Sequence, residues 1–198
     1  TTASIVWVTL RFVPGAAGSG IPQVMAALEP EAQGLNKSLF VSLKLSIAKV
    51  FLSAWGLLAG LSLGREGPSV QIAAGVMHCA RRWIPERSGV SDHGLIIAGG
   101  AAGIAAAFNT PLGGVMFAIE ELAKKPEQRS NGLILAAIVL GGLIAVSVYG
   151  NSSYFGVIRI DRFGAGLIIP GLLVVVCSGV FGGLFSRILI VSLAGKSL

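Results

Sequence analysis

The segment GLIIAGGAAGIAAAFNTPLGGVMFAI, which runs from Gly94 to Ile119, contains no charged residue. At about 1.5 Å per helical residue it is long enough to cross the roughly 30 Å hydrocarbon core of a bilayer. Asn109-Thr110-Pro111 interrupts the segment, and Thr110 is well placed to cap a helix whose first residue is Pro111. We therefore expect membrane-embedded structure here, with two short helices separated by a break.

Other parts of the chain are equally apolar. Residues 132–158 and 164–186 carry no charge, and residues 39–63 carry only Lys44 and Lys49. Charged residues make up 12% of the chain, about half the share of a soluble domain, and the mean hydropathy is +0.81. Many of the 28 glycines lie inside the apolar runs, where they allow helices to approach closely or to break. The composition predicts an all-α, polytopic membrane protein.

The basic residues are clustered beside the apolar runs, although the net charge of +6 alone would also suit a nucleic-acid-binding protein. If the chain crosses and returns between the two clusters, both lie on one side, which the positive-inside rule makes cytoplasmic. The clusters are Arg81, Arg82 and Arg87, and Lys124, Lys125 and Arg129. We expect membrane lipid as a partner and no nucleic acid. The sequence has no metal-ligand spacing and predicts no metal or cofactor.

Helix start and stop signals divide the chain into further elements. We expect a helix ending near residue 13, helices over about 22–28 and 37–59, and a helix from the glycine loop 64–67 to about residue 83. The broken pair follows, then a polar loop from 124 to 131, a helix ending near residue 149, strand-like alternation over 157–163, and a final helix over about 165–191.

One glycine-rich start of a helix, Gly18-Ser19-Gly20-Ile21-Pro22, has the features of an anion site. Proline is favoured in the first helical turn, and the glycines before it are expected to leave backbone N–H groups open. The positive end of the helix dipole and the Ser19 hydroxyl would add to these donors. The alternative is an ordinary capped helix start.

A second start of this kind, Gly64-Arg65-Glu66-Gly67-Pro68-Ser69, places a carboxylate where an anion would bind. Ionisable groups between apolar runs are costly in a membrane and are usually functional. Glu66 can act as the anion while charged and leave once protonated, which predicts a pH-sensitive plug. The alternative is a structural pair between Arg65 and Glu66.

Two carboxylates, Glu120 and Glu121, end the apolar stretch that began at Gly94. Neighbouring helical positions point about 100° apart, so one carboxylate can face the helix bundle while the other faces water. The buried one would be a candidate proton relay. Pairing with Lys124 or Lys125 at the membrane interface is the alternative.

The two glycine motifs resemble the first two selectivity-filter motifs of the CLC family of chloride channels and chloride/proton exchangers, and they occur in the family's order. The stretch from Ala105 to Leu122, with Phe108-Asn109-Thr110-Pro111-Leu112 and Ile119-Glu120-Glu121, is similar to the helix pair that follows in that family. The resemblance is specific from about residue 13 to 122 and looser from 131 to 192.

The resemblance implies an anion pathway in each subunit of a homodimer in the membrane, in bacteria the inner membrane. Ser19 matches the serine that contacts the central anion, Glu66 the gating glutamate, and Glu121 the inner proton-transfer glutamate of exchangers. It further implies anion-binding roles for the two motifs, namely Gly18, Ser19, Gly20, Ile21 and Pro22, and Gly64, Arg65, Glu66, Gly67 and Pro68. We therefore expect chloride/proton antiport, with chloride as substrate, and no enzymatic activity.

The family fold is an inverted repeat with broken and re-entrant helices, and this chain matches about the first repeat and the start of the second. The family's N-terminal helices, third filter motif and anion-binding tyrosine have no counterpart here. We expect a single, incomplete transmembrane domain over residues 1–198. Two alternatives remain within the family: a passive voltage-gated chloride channel, and a fragment that is inactive alone.

A nucleotide-binding membrane enzyme is the alternative from another class. Gly15, Gly18 and Gly20 form a glycine-rich loop that could be taken for a phosphate-binding loop. The Gly-Lys-Ser/Thr ending is missing, as is an acidic residue at dinucleotide-binding spacing. The sequence therefore argues against this class.

Overall fold

The computed structural model describes residues 2–29, 37–122, 131–150 and 164–194, and the regular elements in these ranges are all helical. This confirms the predicted all-α class. The helices are α1 (Thr2–Phe12), α2 (Ile21–Leu28), α3 (Leu43–Leu58), α4 (Glu66–Ala80), α5 (Asp92–Phe108), α6 (Pro111–Phe117), α7 (Asn131–Tyr149) and α8 (Ile168–Ala194).

The chain forms two compact units, Thr1–Tyr154 and Phe155–Leu198. In the described part of the second unit, a 3₁₀ turn at Ala165–Leu167 leads into α8, whose residues 168–192 are mostly apolar and are exposed. Three helical segments of the described chain are long and apolar enough to cross a membrane: Lys37–Leu58, Gly132–Tyr149 and Ile168–Ser192. The predicted loop over 124–131 lies outside the described residues except for Asn131, which is already the first residue of α7. The predicted alternation over 157–163 lies outside them altogether.

Helix α5 is the centre of the first unit. Its residues Leu95, Ile96 and Ile97 are buried, as are its four glycines and three of its six alanines. It packs against α4 on one side and α7 on another, and α3 packs against α4. An apolar helix without a polar face is expected at the middle of a bundle, because every side of it meets another helix.

Glycines bring α5 within backbone contact of its neighbours. A Cβ atom at Gly103 would lie 2.6 Å from the Ser69 carbonyl oxygen, and one at Gly99 would lie 2.5 Å from the Ala73 carbonyl oxygen, both on α4. Gly99 and Gly103 are four residues apart and so share one face of α5. The glycines of α5 therefore serve close helix packing, as the sequence predicts. For Gly182 and Gly183 of α8 the structure shows no such packing, since a Cβ atom at either position would meet nothing within 4 Å.

The predicted break in the charge-free segment lies at Asn109, which adopts the left-handed conformation with φ 55°. Thr110 is the N-cap of α6 and Pro111 is its first residue, as expected. The Thr110 hydroxyl, however, makes no capping hydrogen bond. It lies beside Gly113, and the bond from the Gly114 N–H to the Thr110 carbonyl at 3.1 Å is the first hydrogen bond of α6 itself, not a cap.

Two predicted helices are shorter than expected. The helix predicted over 37–59 is divided into a 3₁₀ turn, Lys37–Leu39, and α3. The division follows from Ser42, whose hydroxyl accepts a hydrogen bond from the Leu45 N–H at 3.3 Å and starts α3. The helix predicted to reach residue 83 ends at Ala80, where the 3₁₀ turn Arg81–Trp83 continues the chain.

Candidate anion site

The two glycine-rich loops predicted as anion-binding motifs meet in the structure. A Cβ atom at Gly67 would lie 2.6 Å from Ser19 Oγ, and one at Gly20 would contact the carbonyl oxygen of Gly67. Such approaches are closed to any residue with a side chain unless the backbone moves. The starts of α2 and α4 are therefore in direct contact, although 45 residues separate Ile21 and Glu66 in the sequence.

The loop before α2 depends on two left-handed glycines, Gly18 with φ 81° and Gly20 with φ 118°. The sequence predicts open N–H groups in this loop, and for Gly20 this prediction is wrong. Its N–H donates to Gln23 Oε1 at 2.9 Å, because Gln23 lies at the third helical position and its side chain reaches back to the start of α2. The Ser19 hydroxyl makes no hydrogen bond within the described part of the chain.

Both loops open onto one cleft of about 570 Å³. Ser19 and Glu66 are among its polar lining groups, together with Lys49 of α3. Apolar side chains of α1 and α3 line much of the remainder, including Ile5, Leu10 and Leu52. A hydroxyl donor, an amine and a carboxylate thus share a mostly apolar cleft, which suits one small anion or the carboxylate that would replace it.

Seven of the ten residues predicted to bind anions line this cleft: Gly18, Ser19, Ile21, Gly64, Glu66, Gly67 and Pro68. The other three, Gly20, Pro22 and Arg65, do not line it. Gly20 faces the Gly67 backbone, and Arg65 lines a separate groove beside α5 and α7. The structure therefore gathers most, but not all, of the predicted set.

Glu66 is the first residue of α4 and is half-buried. Its carboxylate bends back over Gly64, so that a Cβ atom at Gly64 would lie 2.7 Å from Glu66 Oε2. The absence of a side chain at Gly64 gives the carboxylate this space. A negative charge in the first turn is favoured by the helix dipole, and the same position would favour a bound anion.

Glu120 and Glu121 lie on a π-helical turn, Ala118–Leu122, which continues α6. Both are exposed, and the buried positions of this turn are Ala118 and Leu122. No side chain of the described first unit covers Glu121, so the expected burial of one carboxylate is not seen here. Lys124 and Lys125, the alternative partners, lie outside the described residues.

Two buried polar residues beside the loop before α2 belong to neither sequence motif: Lys49, which lines the cleft, and Gln71, which does not. Lys49 of α3 is 4% exposed, and its Nζ donates to the carbonyl oxygens of Ala16 and Gly18, each at 2.7 Å. Gln71 of α4 is fully buried, and its Nε2 donates to the carbonyl oxygens of Gly15 at 2.9 Å and Phe40 at 3.0 Å. The signal for Lys49 was its position inside an apolar helix, where a charge needs a function or a partner.

Neither a metal nor a cofactor was expected. Among the described residues, no group of three or more His, Cys, Asp or Glu side chains is arranged to hold a metal ion.

Comparison with known proteins shows which family the chain is similar to. The sequence model of the family described as voltage gated chloride channel matches residues 1–197. The H(+)/Cl(-) exchange transporter ClcA of Citrobacter koseri is 37% identical over 140 residues, which is 70% of this chain and 28% of the relative. The protein of the same name from Salmonella arizonae matches with the same identity and coverage. The chain thus spans less than a third of the length of these relatives.

Proposed function

Because the chain belongs to the voltage-gated chloride channel family, we propose that the protein containing it exchanges chloride for protons across a membrane. The apolar spanning helices make it an integral membrane protein. The observation that carries the proposal is the convergence of the Ser19 loop and the Glu66 helix start on one cleft. The similarity to transporters named as H(+)/Cl(-) exchangers supports antiport as the mode of transport.

Ser19 and the backbone around it would hold chloride. The Ser19 hydroxyl lies at the cleft and is a donor, and the helix dipole of α2 adds positive potential at the same end. Because most of the remaining lining is apolar, an anion in the cleft would be partly dehydrated, which strengthens its interaction with the few donors present.

Glu66 would alternate with chloride. While charged, its carboxylate occupies the positive end of α4 and excludes an anion from that position. Once protonated, it loses this attraction and can move away from the cleft, so that chloride enters. One side chain thereby links the arrival of a proton to the passage of an anion.

Glu121 would accept protons from the side of the membrane that carries the basic residues. It is exposed on the π-helical turn after α6 and therefore accessible to water in this chain. π-helical turns are rare and often occur at functional sites, which agrees with a specialised role for this carboxylate. The expected homodimer, the lipid contacts and a location in a bacterial inner membrane are parts of the same proposal.

The experiment that tests antiport measures proton movement driven by chloride. The protein that contains this chain is reconstituted in vesicles, a chloride gradient is imposed without a proton gradient, and the external pH is followed. Antiport predicts that chloride flux drives protons across the membrane in the opposite direction and so creates a pH difference that was not there at the start. Chloride flux without proton movement would instead make the protein a passive channel, and no chloride flux at all would contradict both.

A further inference from the structure

Four consecutive backbone carbonyls before α2 each accept a hydrogen bond from a side chain. The acceptors are Gly15, Ala16, Ala17 and Gly18, and the donors are Gln71 Nε2, Lys49 Nζ, Gln23 Nε2 and again Lys49 Nζ. The bonds to Ala16, Ala17 and Gly18 are 2.6–2.7 Å long. Backbone carbonyls outside regular helices have no ladder partner, so a side-chain donor satisfies each of these four.

The three donors come from three different helices. Gln23 lies on α2, Lys49 on α3 and Gln71 on α4, so the loop is fixed relative to all three. Lys49 and Ala16 are 33 residues apart in sequence, and Gln71 and Gly15 are 56 residues apart. These side chains are defined here as the carbonyl clamp.

Backbone carbonyls that line an anion-binding cleft would weaken anion binding unless their partial negative charge were offset. A carbonyl oxygen carries partial negative charge and repels chloride, and Ala16, Ala17 and Gly18 all line the cleft. An amine bonded to two of these oxygens offsets that repulsion and also lines the cleft itself. An apolar residue of similar size at position 49 would leave the same oxygens without their donor.

We propose that the carbonyl clamp is a set of positioning residues that sets the chloride affinity of the cleft, with Lys49 as its principal member. This inference rests on the proposed function, because it assumes that chloride binds between the Ser19 loop and Glu66. Lys49 acts on the anion mainly through the Ala16 and Gly18 carbonyls, whose orientation and charge it controls. Gln71 and Gln23 hold the neighbouring peptide groups in the same way.

The test compares three variants of the protein that contains this chain, purified in detergent. Lys49→Met removes the donors and keeps a similar length, Lys49→Arg keeps donors and charge, and Lys44→Met removes an exposed lysine of the same helix. For each variant, thermal unfolding is measured in chloride and in isethionate at equal ionic strength. The difference between the two salts isolates chloride binding from any change in the stability of the variant itself.

We expect wild type and Lys44→Met to show the same stabilisation by chloride. Lys49→Met should lose most of it, with a chloride Kd raised by about tenfold or more, the effect of losing hydrogen bonds to a charged donor. Lys49→Arg should recover much of the chloride affinity, because it keeps the hydrogen-bond donors. If residue 49 were needed only to fill space, Lys49→Met would bind chloride as well as Lys49→Arg.

The outcomes separate the clamp from the function on which it rests. A chloride Kd in Lys49→Met equal to that of Lys44→Met would overturn the clamp while leaving chloride binding intact. A wild-type protein that neither binds nor transports chloride would overturn the proposed function. If Lys49→Met is not recovered in folded form, Gln71→Met decides: a chloride Kd raised by about threefold or more supports the clamp, and an unchanged Kd overturns it.

Discussion

Gly67 lies against Ser19 so closely that a single added methyl group would overlap the serine: a Cβ atom at Gly67 would be 2.6 Å from Ser19 Oγ. This contact joins the first turn of α4 to the loop before α2. The geometry of the candidate anion site therefore depends on the absence of a side chain at one position of the second loop.

Gly67→Ala is expected to reduce chloride transport by about tenfold or more, since the added methyl must push the Ser19 loop away from α4 and small displacements at a site are costly. The measurement is chloride efflux from vesicles. Gly132→Ala is the matched control, because a Cβ atom there meets nothing within 4 Å. Equal efflux from the two variants would show that the contact between Gly67 and Ser19 does not control the site.

This contact illustrates what the sequence could and could not predict. The glycines and prolines of both motifs predicted two helix starts that suit an anion, because local backbone chemistry determines them. The meeting of Gly67 with Ser19 depends on the packing of α2 against α4, which local patterns do not specify. The same holds for Lys49: its burial could be suspected from its apolar surroundings, but its two carbonyl partners are given only by the fold.

The error at Gly20 has a similar origin. An open N–H was expected from the absence of a side chain, whereas the partner, Gln23, lies only three residues away. A glutamine at the third helical position is a known signal for this bond and could have been used. Glu121, by contrast, lies on a π-helical turn and is exposed, and the α-helical spacing assumed from the sequence does not describe such a turn.

The close packing of α4 and α5 predicts that Gly103→Ala destabilises the protein. The added methyl would meet the Ser69 carbonyl oxygen at 2.6 Å, and overpacking of this kind costs about 1–3 kcal/mol. Unfolding in mixed micelles measures the change. Gly171→Ala in α8, where a Cβ atom meets nothing within 4 Å, should cost nothing or stabilise slightly. A destabilisation as large at 171 as at 103 would contradict the role assigned to the contact.

The helix caps predict that the hydroxyl group contributes to stability at Ser91 but not at Thr110. The Ser91 hydroxyl accepts from the Gly94 N–H at 3.0 Å and caps α5, so Ser91→Ala should destabilise the protein by about 1 kcal/mol. The Thr110 hydroxyl makes no capping bond. Thr110→Ser keeps the hydroxyl and removes the methyl group, whereas Thr110→Val keeps the methyl group and removes the hydroxyl. The two variants should therefore be equally stable to within about 0.5 kcal/mol. Unfolding of the three variants under one condition checks both statements, and a clear loss in Thr110→Val alone would show that its hydroxyl does cap α6.

Glu121→Gln is expected to stop proton movement and to leave chloride flux in place, because the amide cannot carry a proton between water and the pathway. Vesicles under a chloride gradient provide the measurement. Glu120→Gln is the control, as the neighbouring exposed carboxylate on the same turn. If Glu120→Gln abolished proton movement and Glu121→Gln did not, the roles assigned to the two carboxylates would be reversed.

The most direct test of the account is the coupling of protons to chloride in Glu66→Gln, reconstituted in vesicles under a chloride gradient and compared with wild type. The amide has nearly the size of the carboxylate but can be neither charged nor titrated. The account predicts that chloride still crosses, at a rate independent of pH, while chloride-driven proton movement disappears. Full proton coupling in Glu66→Gln would contradict the claim that this side chain exchanges places with chloride.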